Sequence, residues 1–252
     1  MKADPISKDF GAVLLDIEGT TTPISFVYDF LFPYARKHAK RYLEEHISSP
    51  DVQPDVEELR RQHAVDLSEG LGPPALAGHS PEARIESLAA YIHWLMDRDR
   101  KLTPLKSLQG RIWEEGYKRG ELFGEVFDDV PRALSLWNDQ GKRVCIYSSG
   151  SVLAQHLLFA HTTSGDLTRF IQDYFDTNVG GKRDGESYRR IAASLGRAAS
   201  EIVFVSDVAA ELDAARSAGL LTVLCARPGN APQPEPVAHP VIETFDEFFS
   251  AG

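Results

Sequence analysis

Two carboxylates separated by a single residue, Asp16 and Glu18, stand where an apolar run meets a loop of glycine and threonine, in Gly11-Ala-Val-Leu-Leu-Asp-Ile-Glu-Gly-Thr-Thr-Thr-Pro23. A carboxylate in that setting can attack phosphorus as a nucleophile or serve as an oxygen ligand for Mg²⁺. Three further segments carry groups of matching chemistry. Ser148-Ser149-Gly150-Ser151 offers hydroxyls and backbone N–H groups, which cradle phosphate when they open a helix. Gly180-Gly181-Lys182 offers an ammonium beside glycines that permit close backbone approach to an anion. Ser206-Asp207 offers a second carboxylate, with Glu211 one helical turn further on. Taken singly, each has a plain structural alternative. A strand-end Asp can form a turn, one serine can cap a helix, Lys182 can be a solvated charge, and Asp207 can cap the helix that follows. Carboxylate, hydroxyl, lysine and carboxylate in that order are much harder to ascribe to accident.

The elements that must position these groups are readable around them. Ala12 to Leu15, Lys142 to Tyr147 and Glu201 to Ser206 are short apolar runs bounded by turn residues, the pattern of buried parallel strands. Val152 to Phe159 has helical apolar spacing, and a helix is expected to begin near Glu186. In open parallel sheets, ligands bind beyond the carboxyl ends of the strands, where Asp16 and Asp207 emerge. Strand and helix alternate from Val126 onward, the signature of a doubly wound α/β sheet. Between Pro23 and about Gly124 only helical patterns appear: Phe26 to Glu45, Asp55 to Ser68, Pro81 to Arg100 and Pro104 to Arg119. The expected organisation is therefore a catalytic core formed by residues 1–22 and 125–252, interrupted at 23–124 by a four-helix insertion. Arg60, Arg61, Arg98 and Arg100 read as a solvated helix face, and Trp94, Trp113 and Tyr117 as packing between helices. Arg227 to Pro240 reads as a proline-rich connector, and Thr244 to Phe249 as a short helix capped by Thr244.

The ordered motifs resemble the haloacid dehalogenase superfamily of aspartyl-nucleophile phosphatases, and within it the enolase-phosphatase family of methionine salvage. The resemblance rests on Asp16-Ile-Glu-Gly-Thr-Thr-Thr-Pro-Ile24, Leu31-Phe-Pro-Tyr34, Leu108-Gln-Gly110, Tyr147-Ser-Ser-Gly-Ser151, Phe175-Asp-Thr177, Glu186-Ser-Tyr188 and Arg227-Pro-Gly-Asn230, which span nearly the whole chain. Its most specific piece is Asp-Ile-Glu, since general phosphatases of the superfamily carry Asp at the second acidic position. The last acidic motif departs from the usual Gly-Asp-x-x-x-Asp, reading Ser206-Asp207-Val-Ala-Ala-Glu211, which leaves the role of Glu211 open. The resemblance implies a Rossmann-like core with an inserted helical cap. It implies Asp16 as nucleophile, Glu18 as proton shuttle, and Ser148, Ser149 and Lys182 as phosphate grips. It implies one Mg²⁺ held by Asp16, the main-chain carbonyl of Glu18 and Asp207. The implied substrate is 2,3-diketo-5-methylthiopentyl 1-phosphate, enolised and then dephosphorylated to an acireductone. A cap would serve this chemistry by excluding water from a reactive enediol.

Composition narrows the classes. With 42% hydrophobic and 25% charged residues the chain is ordinary globular sequence. A net charge of −10 argues against a nucleic-acid-binding face. Cys145 and Cys225 lie in apolar strand-like runs and read as core residues, with no spacing that marks a zinc site. With no signal peptide and no apolar run near 18 residues, a cytoplasmic protein without a membrane partner is expected, acting as a monomer on a small phosphorylated molecule. Gly180-Gly181-Lys182 lacks the spacing of a P-loop, and Ser149 lacks the glycines of a nucleophile elbow. The strongest rival is a phosphatase of the same fold with another small phosphate monoester as substrate. A metal-independent dehalogenase would need neither Glu18 nor Asp207, and a silent binding module would usually have lost one of the acidic motifs.

Overall fold

In the computed structural model, which describes residues 10–78, 80–232 and 238–249, the apolar run Ala12–Leu15 is wholly buried and forms β1. It lies inside a parallel sheet with β2 (Arg143–Tyr147), β3 (Asp173–Phe175), β4 (Ile202–Ser206), β5 (Leu221–Cys225) and β6 (Val241–Ile242). The strand order is β3-β2-β1-β4-β5-β6. Leu15 pairs with Ile146 on one side and with Val205 on the other, so the carboxyl ends of the three central strands are level. Strand order reverses between β1 and β4, and Asp16 and Asp207 leave the sheet on either side of that switch point, where this class of sheet opens a crevice.

The chain divides into two compact units. The sheet belongs to one, which runs through Val27 and resumes at Phe123; Tyr28–Leu122 forms the other. The second unit consists of α1 (Phe32–His46), α2 (Gln53–Ser68), α3 (Pro81–Asp97) and α4 (Thr103–Lys118). Each begins with a proline in its first turn, where the missing N–H costs nothing. Ala35, Ala39 and Leu43 of α1 face Leu88, Ile92 and Leu95 of α3 in a common core with Leu59 of α2 and Leu108 of α4. Trp113 packs against this core and donates its indole N–H to Leu31 O at 2.8 Å. Two expectations need correction here. The run expected as one helix from Phe26 is wound as a π-helix over Phe26–Leu31 before α1 begins. Pro33 removes the N–H that an α-helix would direct to Asp29. Arg100 is not part of a solvated face: it lies beyond the end of α3 and donates to the buried Asp66 at 3.1 Å.

In the sheet unit, α5 (Val130–Asp139), α6 (Val152–Ala160), α7 (Gly185–Leu195) and α8 (Ala209–Ser217) alternate with strands. Helices α7 and α8 pack against the face bearing Leu14, Cys145, Tyr147 and Phe204. Asp184 caps α7 by accepting from Glu186 N at 2.9 Å, and Gly196, at φ +63°, ends it in a left-handed turn. Both cysteines are buried and unpaired by disulfide, and burial pushes the Cys225 thiol up to about 12. The short helix at Phe245–Phe248 is a 3₁₀ turn whose rings meet Trp137, and Glu247 accepts from Thr244 N at 3.1 Å. Of the proline-rich connector expected over Arg227 to Pro240, residues 233–237 lie outside the described residues. No helix among the described residues is long and apolar enough to cross a membrane.

Candidate active site

Asp16 follows β1 with its backbone still on the sheet ladder: its N–H donates to Val205 O at 3.0 Å. The side chain is almost wholly buried, at 2% exposure, and both oxygens are engaged. Oδ1 accepts from Ile17 N at 2.8 Å and meets Lys182 Nζ at 2.6 Å. Oδ2 accepts from Ser206 Oγ at 2.9 Å. Lys182 reaches a second carboxylate, Glu211 Oε2, at 2.7 Å, and Ser206 Oγ stands 3.3 Å from that same oxygen. Asp16, Lys182, Glu211 and Ser206 thus close a ring drawn from the ends of β1 and β4, the turn before α7, and α8.

That turn is held by its carbonyls. Tyr147 OH donates to Gly180 O at 2.9 Å, Ser187 Oγ to Gly181 O at 2.8 Å and Tyr188 OH to Lys182 O at 2.7 Å. Gly180 has φ +137°, and a Cβ there would come within 2.2 Å of Ser187 Oγ, so glycine is required for the approach. With its backbone fixed and its stem buried, the Lys182 ammonium is aimed at the carboxylates rather than at solvent.

The serine turn divides the expected roles. Ser148 is buried; its Oγ accepts from Gly150 N at 3.1 Å and lies 3.5 Å from Glu18 Oε2. Helix capping falls to Ser151, which accepts from Ala154 N at 3.3 Å. Ser149 is exposed on the same turn. Asp207 does not cap α8, whose N-cap position is Val208. Its carboxylate instead packs on the loop of β1: a Cβ at Gly19, where φ is +72°, would stand 2.5 Å from Asp207 Oδ2.

The electrostatics are uneven. Burial disfavours charge on Lys182, but Asp16, Glu211 and Glu18 outweigh it and hold the ammonium above the ordinary lysine range. Burial first, and then the charge of Asp16, push the Asp207 carboxyl up to about 7. The same two causes raise Glu211, against the pull of Lys182. Lys182 therefore balances only part of the buried negative charge. The donors at this edge are oxygens, with Asp16 and Asp207 on adjacent strand ends, a set that suits a hard divalent cation such as Mg²⁺. The residues present fit that ion.

Sequence reasoning missed Ser206 and Gln155. Ser206 had a signal, a hydroxyl in the strand-end position next to Asp207. Gln155 had none: it is buried in α6 and its amide donates to Gly150 O at 2.8 Å and Phe175 O at 2.9 Å, tying the serine turn to the end of β3.

Comparison with known proteins supplies the context. Residues 10–219 match the family model of haloacid dehalogenase-like hydrolases. The chain is 48% identical over 227 residues to enolase-phosphatase E1 of Synechococcus elongatus, covering 90% of this chain and 93% of that protein. It is 46% identical over 241 residues to a probable bifunctional methylthioribulose-1-phosphate dehydratase/enolase-phosphatase E1 of Sorghum bicolor, covering 93% of this chain and 46% of that longer protein. Among solved structures, the UTR4 protein of Saccharomyces cerevisiae superposes with a TM-score of 0.77 at 35% identity, covering 94% of this chain and 99% of that one.

Proposed function

Because the chain belongs to the haloacid dehalogenase-like hydrolases and, within them, to the enolase-phosphatase E1 family, we propose that it enolises 2,3-diketo-5-methylthiopentyl 1-phosphate and dephosphorylates the enol through an aspartyl-phosphate on Asp16. The observation that carries this reading is the buried Asp16 carboxylate at the sheet's switch point, oriented by Ile17 N and Ser206 and charge-matched by Lys182 at 2.6 Å. The Sorghum relative supports the substrate, since its name joins this activity to a dehydratase acting on methylthioribulose 1-phosphate, a chemistry that yields such a diketone.

In this mechanism a carboxylate oxygen of Asp16 forms a bond to phosphorus as the bond to the substrate's ester oxygen breaks. The Glu18 carboxyl gives its proton to that leaving oxygen. As a carboxylate it then takes a proton from the water that attacks the aspartyl-phosphate, releasing phosphate and restoring Asp16. Lys182 offsets charge on the transferred group, and Ser148 and Ser149 grip its oxygens. Asp16, Asp207 and the main-chain carbonyl of Glu18 would hold one Mg²⁺, which neutralises phosphate charge and polarises a neighbouring carbonyl when bound. The helical insertion takes the part of a cap, excluding water during turnover. The same reading makes the protein a cytoplasmic monomer acting on a small metabolite.

Purified protein incubated with the diketo phosphate, with and without Mg²⁺, tests this directly. Enol absorbance should rise and decay as phosphate appears, and chelation should abolish phosphate release. Full activity in excess chelator would remove the metal from the mechanism. Equal turnover of unrelated phosphate monoesters would overturn the substrate assignment.

A further inference from the structure

The segment Arg227-Pro-Gly-Asn230 takes no part in the chemistry above, yet it is built for a task. Asn230 N donates to Arg227 O at 3.2 Å, Pro228 occupies the second position and Gly229, at φ +89°, the third, which is the chemistry of a type II turn. Such a turn sets its first and fourth side chains beside each other. Here they meet consecutive carbonyls of the loop that carries Glu18: Asn230 Nδ2 donates to Gly19 O at 2.9 Å, and Arg227 Nε to Thr20 O at 3.1 Å.

Both anchors are fixed from behind. The Arg227 guanidinium is buried between the rings of Phe127 and Phe245, at 4.5 and 4.7 Å, and pairs with Asp129 at 2.9 Å. Asn230 Nδ2 also reaches Cys225 O, at 3.2 Å, at the end of β5. Since β4 lies between β1 and β5, this amide is a strap across the strand end from which Asp207 emerges. The strap leaves no slack. A Cβ at Gly19 would meet Asn230 Oδ1 at 2.9 Å as well as Asp207, so the amide, the metal-side carboxylate and the left-handed turn after Glu18 converge on one Cα.

We propose that Asn230, presented by the turn that begins at Arg227, is a positioning residue that fixes the Gly19–Thr20 peptide groups and through them the reach of Glu18. The proposal rests on the reading of Glu18 as the proton shuttle. Without the amide, the Gly19 and Cys225 carbonyls lose a donor, the turn relaxes, and Glu18 no longer presents its carboxyl at a fixed distance from the leaving oxygen.

A double-mutant cycle with phosphate release from the diketo phosphate as the readout separates this from a merely structural role. Asn230→Ala should lower kcat about ten- to a hundredfold per folded molecule, a misplacement effect, with KM little changed. In a Glu18→Gln background, where there is no proton to deliver, Asn230→Ala should cost less than twofold more. If Asn230→Ala does not yield folded protein, Asn230→Leu, which keeps the volume, adds no charge and loses the donor, carries the same cycle. Additive losses in the double variant, or a wild-type kcat in the single one, overturn the proposal. A wild-type protein that releases no phosphate, or a Glu18→Gln variant of full activity, would instead overturn the reading on which it rests.

Discussion

The two units each bury a carboxylate, and they treat it in opposite ways. In the helical unit, Asp66 is wholly buried and receives Tyr91 OH at 2.6 Å, Gln62 Nε2 at 2.9 Å and Arg100 Nη2 at 3.1 Å. Burial raises its pKa, but these three donors outweigh it and hold the carboxyl below the ordinary range. In the sheet unit, burial pushes Asp207 up to about 7 and the charge of Asp16 adds to the rise, which Lys182 only partly offsets. A buried carboxylate whose donors outweigh its desolvation is a structural element. One left in surplus stores an electrostatic demand that a cation or a phosphoryl group can meet.

The largest expected effect falls on the surplus side. Asp16→Asn keeps the shape of the side chain and removes the proposed nucleophile, so phosphate release should fall by about 10⁴-fold or more, to below detection in a steady-state assay. Enolisation should weaken less, and at saturating Mg²⁺ some phosphorylated enol should accumulate. Release at a rate near wild type would break the aspartyl-phosphate mechanism; loss of the enol as well would tie Asp16 to both steps.

The second effect belongs to the answered side. Asp66→Ala leaves Arg100 with its partner gone and the Tyr91 hydroxyl without its acceptor, which should cost about 3–5 kcal/mol of stability by denaturant titration. The kcat of the molecules that remain folded should not change. A variant as stable as wild type, or one whose kcat falls with its stability intact, would erase the distinction between the two carboxylates.

What the sequence discloses follows the same division. Ala12–Leu15, Arg143–Tyr147 and Ile202–Ser206 declare themselves because a strand buried on both faces is written as an unbroken apolar run. Asp16 and Asp207 are legible because each follows such a run directly, and Lys182 because two glycines precede it. Three-residue β3 and two-residue β6 are too short to carry a period. Arg100 misleads because its burial depends on a carboxylate 34 positions earlier, and nothing local marks it. Arg227 and Asn230 act on Thr20 and Gly19 across more than 200 positions. Only their turn chemistry is local, so the turn is visible and its target is not. The six-residue π-helix defeats periodicity for a related reason: over so short a span, its winding and that of an α-helix bury much the same residues.

A third, smaller effect probes how far Lys182 compensates the surplus. Lys182→Ala should lower kcat/KM by about 1.5–3 kcal/mol, the loss of one charge-assisted contact to phosphate. It should also destabilise the metal-free protein, since Asp16 and Glu211 lose the ammonium that both contact. Added Mg²⁺ should recover part of that stability. Kinetics near wild type would make Lys182 a bystander despite its burial, and the surplus would then have to be met by the cation alone.

The smallest effect is the one that distinguishes the two carboxylates by sign. Unfolded Asp207 gives up its proton near pH 3.9, whereas in the folded, metal-free protein it keeps it to about 7. Between those values folding takes up a proton, so stability that is fully present below about pH 4 is lost as the pH rises towards 7, and the curve is flat above. Asp66 behaves oppositely: its folded carboxyl ionises more readily than the unfolded one. Its contribution is therefore intact across this whole window and is lost only on acidification through its depressed pKa. In chelator, the thermal midpoint should thus decline from pH 5 to 7.5, by about 2–4 °C for each kcal/mol of linked stability. Asp207→Asn should make the decline shallower without abolishing it, since Glu211 is raised over the same window, while Asp66→Asn should lower the midpoint and leave the slope. If Asp207 holds Mg²⁺ as proposed, the ion competes with its proton, so excess Mg²⁺ should raise the midpoint most above pH 7 and reduce the slope. A flat profile in chelator would mean that neither Asp207 nor Glu211 is left in surplus. A slope that Asp207→Asn leaves unchanged would assign the whole surplus to Glu211, which the profile of Glu211→Gln would decide.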